Sequence, residues 1–303
     1  MTYRLADFGS YRAGGRLHEV REGAPMELPV TREVTLTHDP RGTFAVESAY
    51  VQYFIPEPRK AAPPVVLVHG GGLSGAVWEA TPDGRKGWLH GLLAAGYEVH
   101  VVDNVERGRA GFAPGLWPGE PVLRSLEDAW SLFRIGPKEG YARRAAYPGA
   151  LFPAEAIVDF AKGFAPRWVS TGEAQAAALT AVLEPLEGAI LLCHSQGAEP
   201  AFAALEQGAE VSHLVAVEPS AGPERPESLA GRGFTLVEGD YLDITNLWRR
   251  QRAMWSLVAD AACEAGARVA HLASGGALAP GHSHLPMCDR ESEACLAAIL
   301  ETL

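Results

Sequence analysis

The run Ala189-Ile190-Leu191-Leu192-Cys193-His194-Ser195-Gln196-Gly197 decides how the chain is read. Its first five residues are continuously apolar, as a short strand buried on both faces of a parallel sheet requires. Residues 197–206 continue as a helix. A serine stands at the turn between them, with a small residue two positions away on either side, Cys193 and Gly197. This is a nucleophile-elbow pattern: the serine is held in a strained backbone conformation, and bulk at either flank would collide with the turn. Both flanks are usually glycine, whereas here the first is Cys193. The competing reading is an ordinary helix start capped by Ser195.

Working outward, Val65-Val66-Leu67-Val68 is a second buried run, followed by a helix at 86–95 and a third run at 98–102. Downstream come strands at 213–217, 233–237 and 268–272, a helix at 247–265 and a closing helix at 290–303. Such alternation gives six parallel strands in one open α/β sheet. Ahead of them, 31–37 and 43–55 are β-branched and aromatic runs separated by Asp39-Pro40-Arg41-Gly42, which predicts an antiparallel pair. Residues 1–30, rich in Gly, Pro and charge, read as an irregular arm.

Residues 104–187 interrupt the alternation between two strands, where about 10–15 residues would suffice for a crossover. They hold ten of the chain's 25 aromatic residues. An insertion of that composition is expected to pack over a site as a cap or lid, with its aromatics walling an apolar pocket. The expectation is one domain over 1–303, with 104–187 as the cap within it.

Composition narrows the partners. A chain of 303 residues with 47% apolar and 21% charged residues builds an ordinary globular core. A net charge of −11 repels phosphate backbones and anionic headgroups, so neither nucleic acid nor a membrane is expected as partner. The four cysteines, Cys193, Cys263, Cys288 and Cys295, show no metal or disulfide spacing. No secretory h-region opens the chain, and no apolar run nears the ~18 residues of a span. A cytoplasmic location follows as the expectation, and a homodimer is allowed.

Three further elements could join Ser195 in chemistry. His69-Gly70-Gly71-Gly72 follows the first parallel strand, and glycines there let backbone N–H groups form an oxyanion hole opposite the elbow. The same glycines, read as Gly70-x-Gly72-x-x-Gly75 with Asp103 ending the next strand, make a weak dinucleotide fingerprint. Against it, Pro82-Asp83-Gly84 breaks the chain before any helix that could hold a pyrophosphate. Gly281-His282-Ser283-His284-Leu285 lies between the last strand and last helix, where a general base would return to the serine. On local chemistry either histidine could be that base, and their spacing defines no metal site. Two acids could orient it: Asp240 after the penultimate strand, or Glu218 in Val217-Glu218-Pro219-Ser220, each at the carboxyl end of an apolar strand.

The chain order of HGGG loop, serine elbow, acid and histidine resembles the α/β-hydrolase superfamily. More closely, it is similar to bacterial carboxylesterases with a Ser-Glu-His triad, whose acid is a glutamate one strand earlier than usual. The likeness runs from about Arg41 to Leu303. It is carried by Val68-His69-Gly70 through Trp78-Glu79-Ala80-Thr81-Pro82-Asp83-Gly84-Arg85, by Val102-Asp103 leading to Gly108-Arg109-Ala110-Gly111, and by Phe133-Arg134-Ile135-Gly136-Pro137. His194-Ser195-Gln196-Gly197, Val217-Glu218-Pro219-Ser220 and the histidine loop complete it. That loop reads Gly-Asn-Ser-His in the family, so the resemblance implies His284 as the base, with His282 at the asparagine position. It likewise prefers Glu218 over Asp240.

The expected fold is therefore an α/β-hydrolase fold, a mostly parallel open sheet flanked by helices, with a cap inserted before the nucleophile strand. The expected activity is a cofactor-free serine hydrolase cleaving a small carboxylic ester, lactone or thioester. Ser195, His284 and Glu218 would be catalytic, and Gly71 and Gln196 would form the oxyanion hole, with no metal or cofactor. The alternatives are a non-catalytic ligand-binding protein of the same fold and, third, an NAD(P)-dependent oxidoreductase.

Overall fold

In the computed structural model, which describes residues 3–113 and 115–303, the apolar runs become strands of one eight-stranded sheet. The chain starts with β1 (Arg4–Val20), β2 (Met26–Pro29), β3 (Thr35–His38) and β4 (Gly42–Glu57). The alternation then begins with β5 (Val65–Val68), α1 (Trp88–Ala94) and β6 (Val99–Asp103). A long connection holds α2 (Leu126–Leu132), α3 (Ile157–Ala161) and α4 (Gly172–Leu183). After it come β7 (Ala189–His194), α5 (Ala198–Glu206), β8 (Val211–Val217), β9 (Gly233–Glu238), α6 (Asn246–Glu264), β10 (Arg268–Ala273) and α7 (Ser292–Leu300).

The strand order is β1-β4-β6-β5-β7-β8-β9-β10, parallel from β6 to β10. Side chains on the parallel strands alternate between two cores. Val66, Val68, Leu191 and Cys193 face α4, α5 and α6, while Val65, Leu67, Ile190 and Leu192 face α1 and α7. All of these are at most 5% exposed, which is why the runs are apolar throughout and do not alternate. The chain reverses its direction of travel across the sheet at β5, with β6 on one side and β7 on the other. That reversal opens a crevice at the carboxyl ends of β5 and β7, where ligands bind in sheets of this kind.

Two expectations for the first sixty residues are corrected. The supposed arm contains β1, a 17-residue strand that pairs antiparallel with β4 from Arg4↔Glu57 to Val20↔Gly42. β4 therefore does not pair with 31–37; that segment supplies β3, which pairs with β2 in a small separate ribbon. The physical reason is exposure. Most β1 residues are exposed or half-buried, so the strand needs no apolar face, and charged residues conceal it from pattern reading. Met1 and Thr2 of the supposed arm lie outside the described residues.

The insertion 104–187 divides in two. α4 packs against β1, β4 and α5, burying Ala178, Leu179 and Val182, and is the crossover helix of the sheet. The earlier part, through Val169, contributes walls over the crevice.

Candidate active site

Ser195 follows directly from β7 and sits at φ +50°, a left-handed conformation for a residue with a side chain. Such a backbone costs about 1–3 kcal/mol and persists only where its surroundings fix it. A Cβ at Gly197 would lie 2.6 Å from the His69 carbonyl oxygen, so the turn closes against the β5 loop only with glycine there. Cys193 occupies the other flank, wholly buried, where burial pushes its thiol up to about 12. It is a neutral space-filler.

The Ser195 hydroxyl lies 2.9 Å from His284 Nε2 and can donate to it. From the other ring nitrogen, His284 Nδ1–H donates to Glu218 Oε2 at 2.8 Å. His284 is fixed through its own peptide as well: its N–H donates to the Phe133 carbonyl at 2.9 Å, and its carbonyl accepts from His194 Nε2 at 2.8 Å. Phe133 stacks on the imidazole with 5.9 Å between ring centroids, and Trp248 tilts against it at 4.9 Å. Burial lowers the His284 pKa below 6.5; Glu218 opposes that and Arg134 adds to it. The ring is therefore neutral near pH 7 and ready to accept a proton.

Glu218 also has a left-handed backbone, at φ +50°, and is fully buried. Burial alone would raise its carboxyl, but the Arg134 guanidinium, followed by His284, outweighs that and holds it down to about 2. Arg134 Nη2 donates to Glu218 Oε1 at 2.6 Å, and the Gly239 N–H donates to the same oxygen at 2.5 Å. Arg134 Nε donates to the Asp240 carbonyl at 2.6 Å, and its guanidinium lies 4.1 Å above the Trp248 ring.

Of the two acids considered, the structure brings Glu218 to His284. Asp240 instead clasps the histidine loop: its N–H donates to the His282 carbonyl at 2.7 Å, and its Oδ2 accepts from the Gly281 N–H at 2.8 Å. Of the two histidines, His284 faces Ser195. His282 is buried, with Nδ1 donating to Asp289 Oδ2 at 3.0 Å; Asp289 also accepts from the Ser283 N–H and hydroxyl. Asp103, the acid of the dinucleotide reading, accepts from Gly75 N–H at 2.6 Å and from Arg109 Nε at 2.7 Å, and is engaged within the fold.

A cavity of about 290 Å³ opens beside Ser195 and His284, and both Gly71 and Gln196 line it. Its apolar wall includes Leu132, Phe133, Phe164, Leu247 and Trp248. Of the ten insertion aromatics only Phe133 and Phe164 reach it. Trp130 and Phe152 fill the sheet core, and Phe112, Trp117 and Trp168 form a cluster of their own. Sequence reasoning did not assign roles to Arg134, Trp248, His194 or Asp289. The one available signal was Arg134 within Phe133-Arg134-Ile135-Gly136-Pro137, at the end of α2. Among the described residues, no group of three or more His, Cys, Asp or Glu could hold a metal ion. No helix among them is long and apolar enough to cross a membrane.

No family model matches the chain. A fungal protein named "Probable secreted lipase phiG" is 34% identical over 101 residues, covering 33% of this chain. The chain spans only 27% of the length of that curated relative. A solved structure of a novel bacterial esterase is 28% identical and matches 99% of this chain and 96% of its own, with a TM-score of 0.87. A likeness over nearly the whole of both chains, together with the sheet order, makes this an α/β-hydrolase fold.

Proposed function

We propose that the chain is a serine hydrolase that cleaves a small carboxylic ester through an acyl-enzyme. The observation that carries this reading is the line Ser195 Oγ, His284 Nε2, His284 Nδ1, Glu218 Oε2, with contacts of 2.9 and 2.8 Å. His284 takes the hydroxyl proton as Ser195 attacks the carbonyl carbon, and Glu218 holds the imidazole in the tautomer that accepts it and stabilises the imidazolium. The backbone N–H groups of Gly71 and Gln196 stabilise the oxyanion, at about 3–4 kcal/mol for each donor. The tetrahedral intermediate collapses as His284 returns the proton to the departing alcohol. Water, deprotonated by His284, then attacks the acyl-enzyme and releases the acid. A cavity of about 290 Å³ fits a small acyl or alcohol part, and the walls from 122–169 act as the cap.

The partner is a small-molecule ester; a net charge of −11 opposes nucleic acid and anionic membranes and leaves a homodimer open. Three buried thiols and the exposed Cys263, none in a disulfide, favour a cytoplasmic location. Recovery of tagged chain mainly from the medium would overturn that location. The activity itself is tested by assaying short p-nitrophenyl esters with the wild type and Ser195→Ala. Turnover should fall by about 10⁴-fold or more; undiminished turnover, or failure of a fluorophosphonate to label Ser195, would sink the reading.

A further inference from the structure

Two arginines line the cavity beside Ser195, Arg124 and Arg167. They come from the two segments that pair through Val122 and Arg167, whose backbones exchange hydrogen bonds of 2.8 and 3.1 Å. Arg167 reaches the oxyanion loop: a Cβ on Gly71 would lie 3.0 Å from Arg167 Nη1. Its Nε is buried and has no hydrogen-bond partner. Among the described residues, neither side chain forms a hydrogen bond or an ion pair within 4 Å.

Two of the three neighbouring acids are paired with other cations, and Glu199 is held by a neutral hydroxyl. Glu199 lines the same cavity but accepts from the Ser220 hydroxyl at 3.0 Å. Glu106 accepts from Arg107, the Trp168 N–H and Thr171, and Glu218 is compensated by Arg134 and His284. Burial disfavours the Arg167 charge; of the charges around it, Glu199 supports it most, Arg124 repels it, and Glu106 supports it less. A chain of net charge −11 thus sets two guanidiniums, Arg167 and the exposed Arg124, against one carboxylate, Glu199, at the mouth of its serine site. A guanidinium with no carboxylate in contact with it presents a fork that a substrate carboxylate can meet.

We propose that the substrate is a short ester that also carries a free carboxylate, bound by Arg167 and Arg124. This rests on the hydrolase reading above. The apolar wall takes the short chain, and the arginines hold its charged end near the reacting carbonyl.

The test compares kcat/KM for monomethyl glutarate and for methyl pentanoate, with acid release followed by titration, in wild type, Arg167→Gln and Arg124→Gln. Wild type should prefer the carboxylated ester by about ten- to a hundredfold, as one or two charge-assisted hydrogen bonds would give. Arg167→Gln should reduce that ratio at least about tenfold, and added sodium chloride should raise KM for the carboxylated ester alone. Equal rates on the two esters would overturn the proposal while leaving the hydrolase intact. So would an Arg167→Gln variant that slows both alike, which would place the guanidinium on the oxyanion. A binding measurement stands apart from activity. Monomethyl glutarate should raise the melting temperature of Ser195→Ala, methyl pentanoate should not, and adding Arg167→Gln should abolish the shift. Absence of any shift overturns the proposal even if neither ester is hydrolysed.

Discussion

Arg134 and Glu218, both fully buried, meet at 2.6 Å on the carboxylate oxygen that His284 does not use. Isolated, either charge would be expelled from the interior by its desolvation. Together they let an ionised carboxylate sit beneath the imidazole. Arg134 reaches this place from the end of α2, where it adopts a left-handed φ of +57° and the Ile135 N–H closes back on the Trp130 carbonyl. Glycine is the usual residue at such a helix end. An arginine is held there by what its guanidinium binds.

Arg134→Gln should therefore do two things. Removing one partner of a buried pair destabilises by about 3–5 kcal/mol, read as a lower urea midpoint. It also withdraws a positive charge that lowers the His284 pKa, so the acid limb of kcat/KM against pH moves to higher pH. Arg134→Lys should restore part of both. A purely structural role would lower stability and leave the limb where it was.

Glu218→Gln and Asp240→Asn separate the two acids. The first should lower kcat by about 10³–10⁴-fold, as expected when the base loses its orienting charge. The second should keep activity within about tenfold but reduce stability by about 1–2 kcal/mol, since Asp240 Oδ2 accepts from Gly281 in the histidine loop. The reverse pattern of losses would move the orienting role to Asp240.

Stability should fall on the acid side in a definite window. His69 and His194 are buried and neutral, held down to about 4 and about 3, chiefly by burial. The unfolded chain takes up protons below about pH 6.5 that the folded chain refuses. The contribution of each histidine is thus complete above that value and lost as pH falls through its folded pKa, on the order of 3 kcal/mol for His69 and 5 kcal/mol for His194. Glu218 adds a further loss between its ordinary 4.5 and about 2. Urea midpoints measured from pH 7 to pH 4 should decline steadily; a flat profile would contradict the buried neutral histidines.

Gly71→Ala tests the oxyanion loop. The new methyl would lie 2.7 Å from Gln196 Oε1 and 3.0 Å from Arg167 Nη1, so either these two side-chain ends or the loop must give way. Displacing one oxyanion donor should lower kcat by about 10²-fold with little change in melting temperature. Full activity would show that the side-chain ends yield and the Gly71 N–H keeps its place.

The parallel strands were legible because a strand covered on both faces must be apolar throughout, as Val65–Val68 and Ala189–Cys193 are. β1 was not, because its exposure asks nothing of its sequence. At the site, Ser195 could be picked out by local sterics, while the residues alone left Glu218 against Asp240 and His284 against His282 open. Only the resemblance chose between them. Arg134 meets Glu218 across 84 residues of chain, and no local pattern encodes such a meeting. The pairing of His282 with Asp289, seven residues away, was nearer but looked like two unrelated polar residues of a loop.

The connection between β6 and β7 supplies the Phe133 carbonyl that holds the His284 peptide and the Arg134 guanidinium that balances Glu218. It is not a detachable lid. A chimera that received this stretch from another protein of the same fold would lose the anchor of His284 and the counter-charge of Glu218 in one exchange. Exchange of the whole stretch is thereby closed to this scaffold, and the cavity can be reshaped only one side chain at a time, through positions such as Leu123, Arg124, Phe164 and Arg167 that line it and leave Phe133 and Arg134 in place.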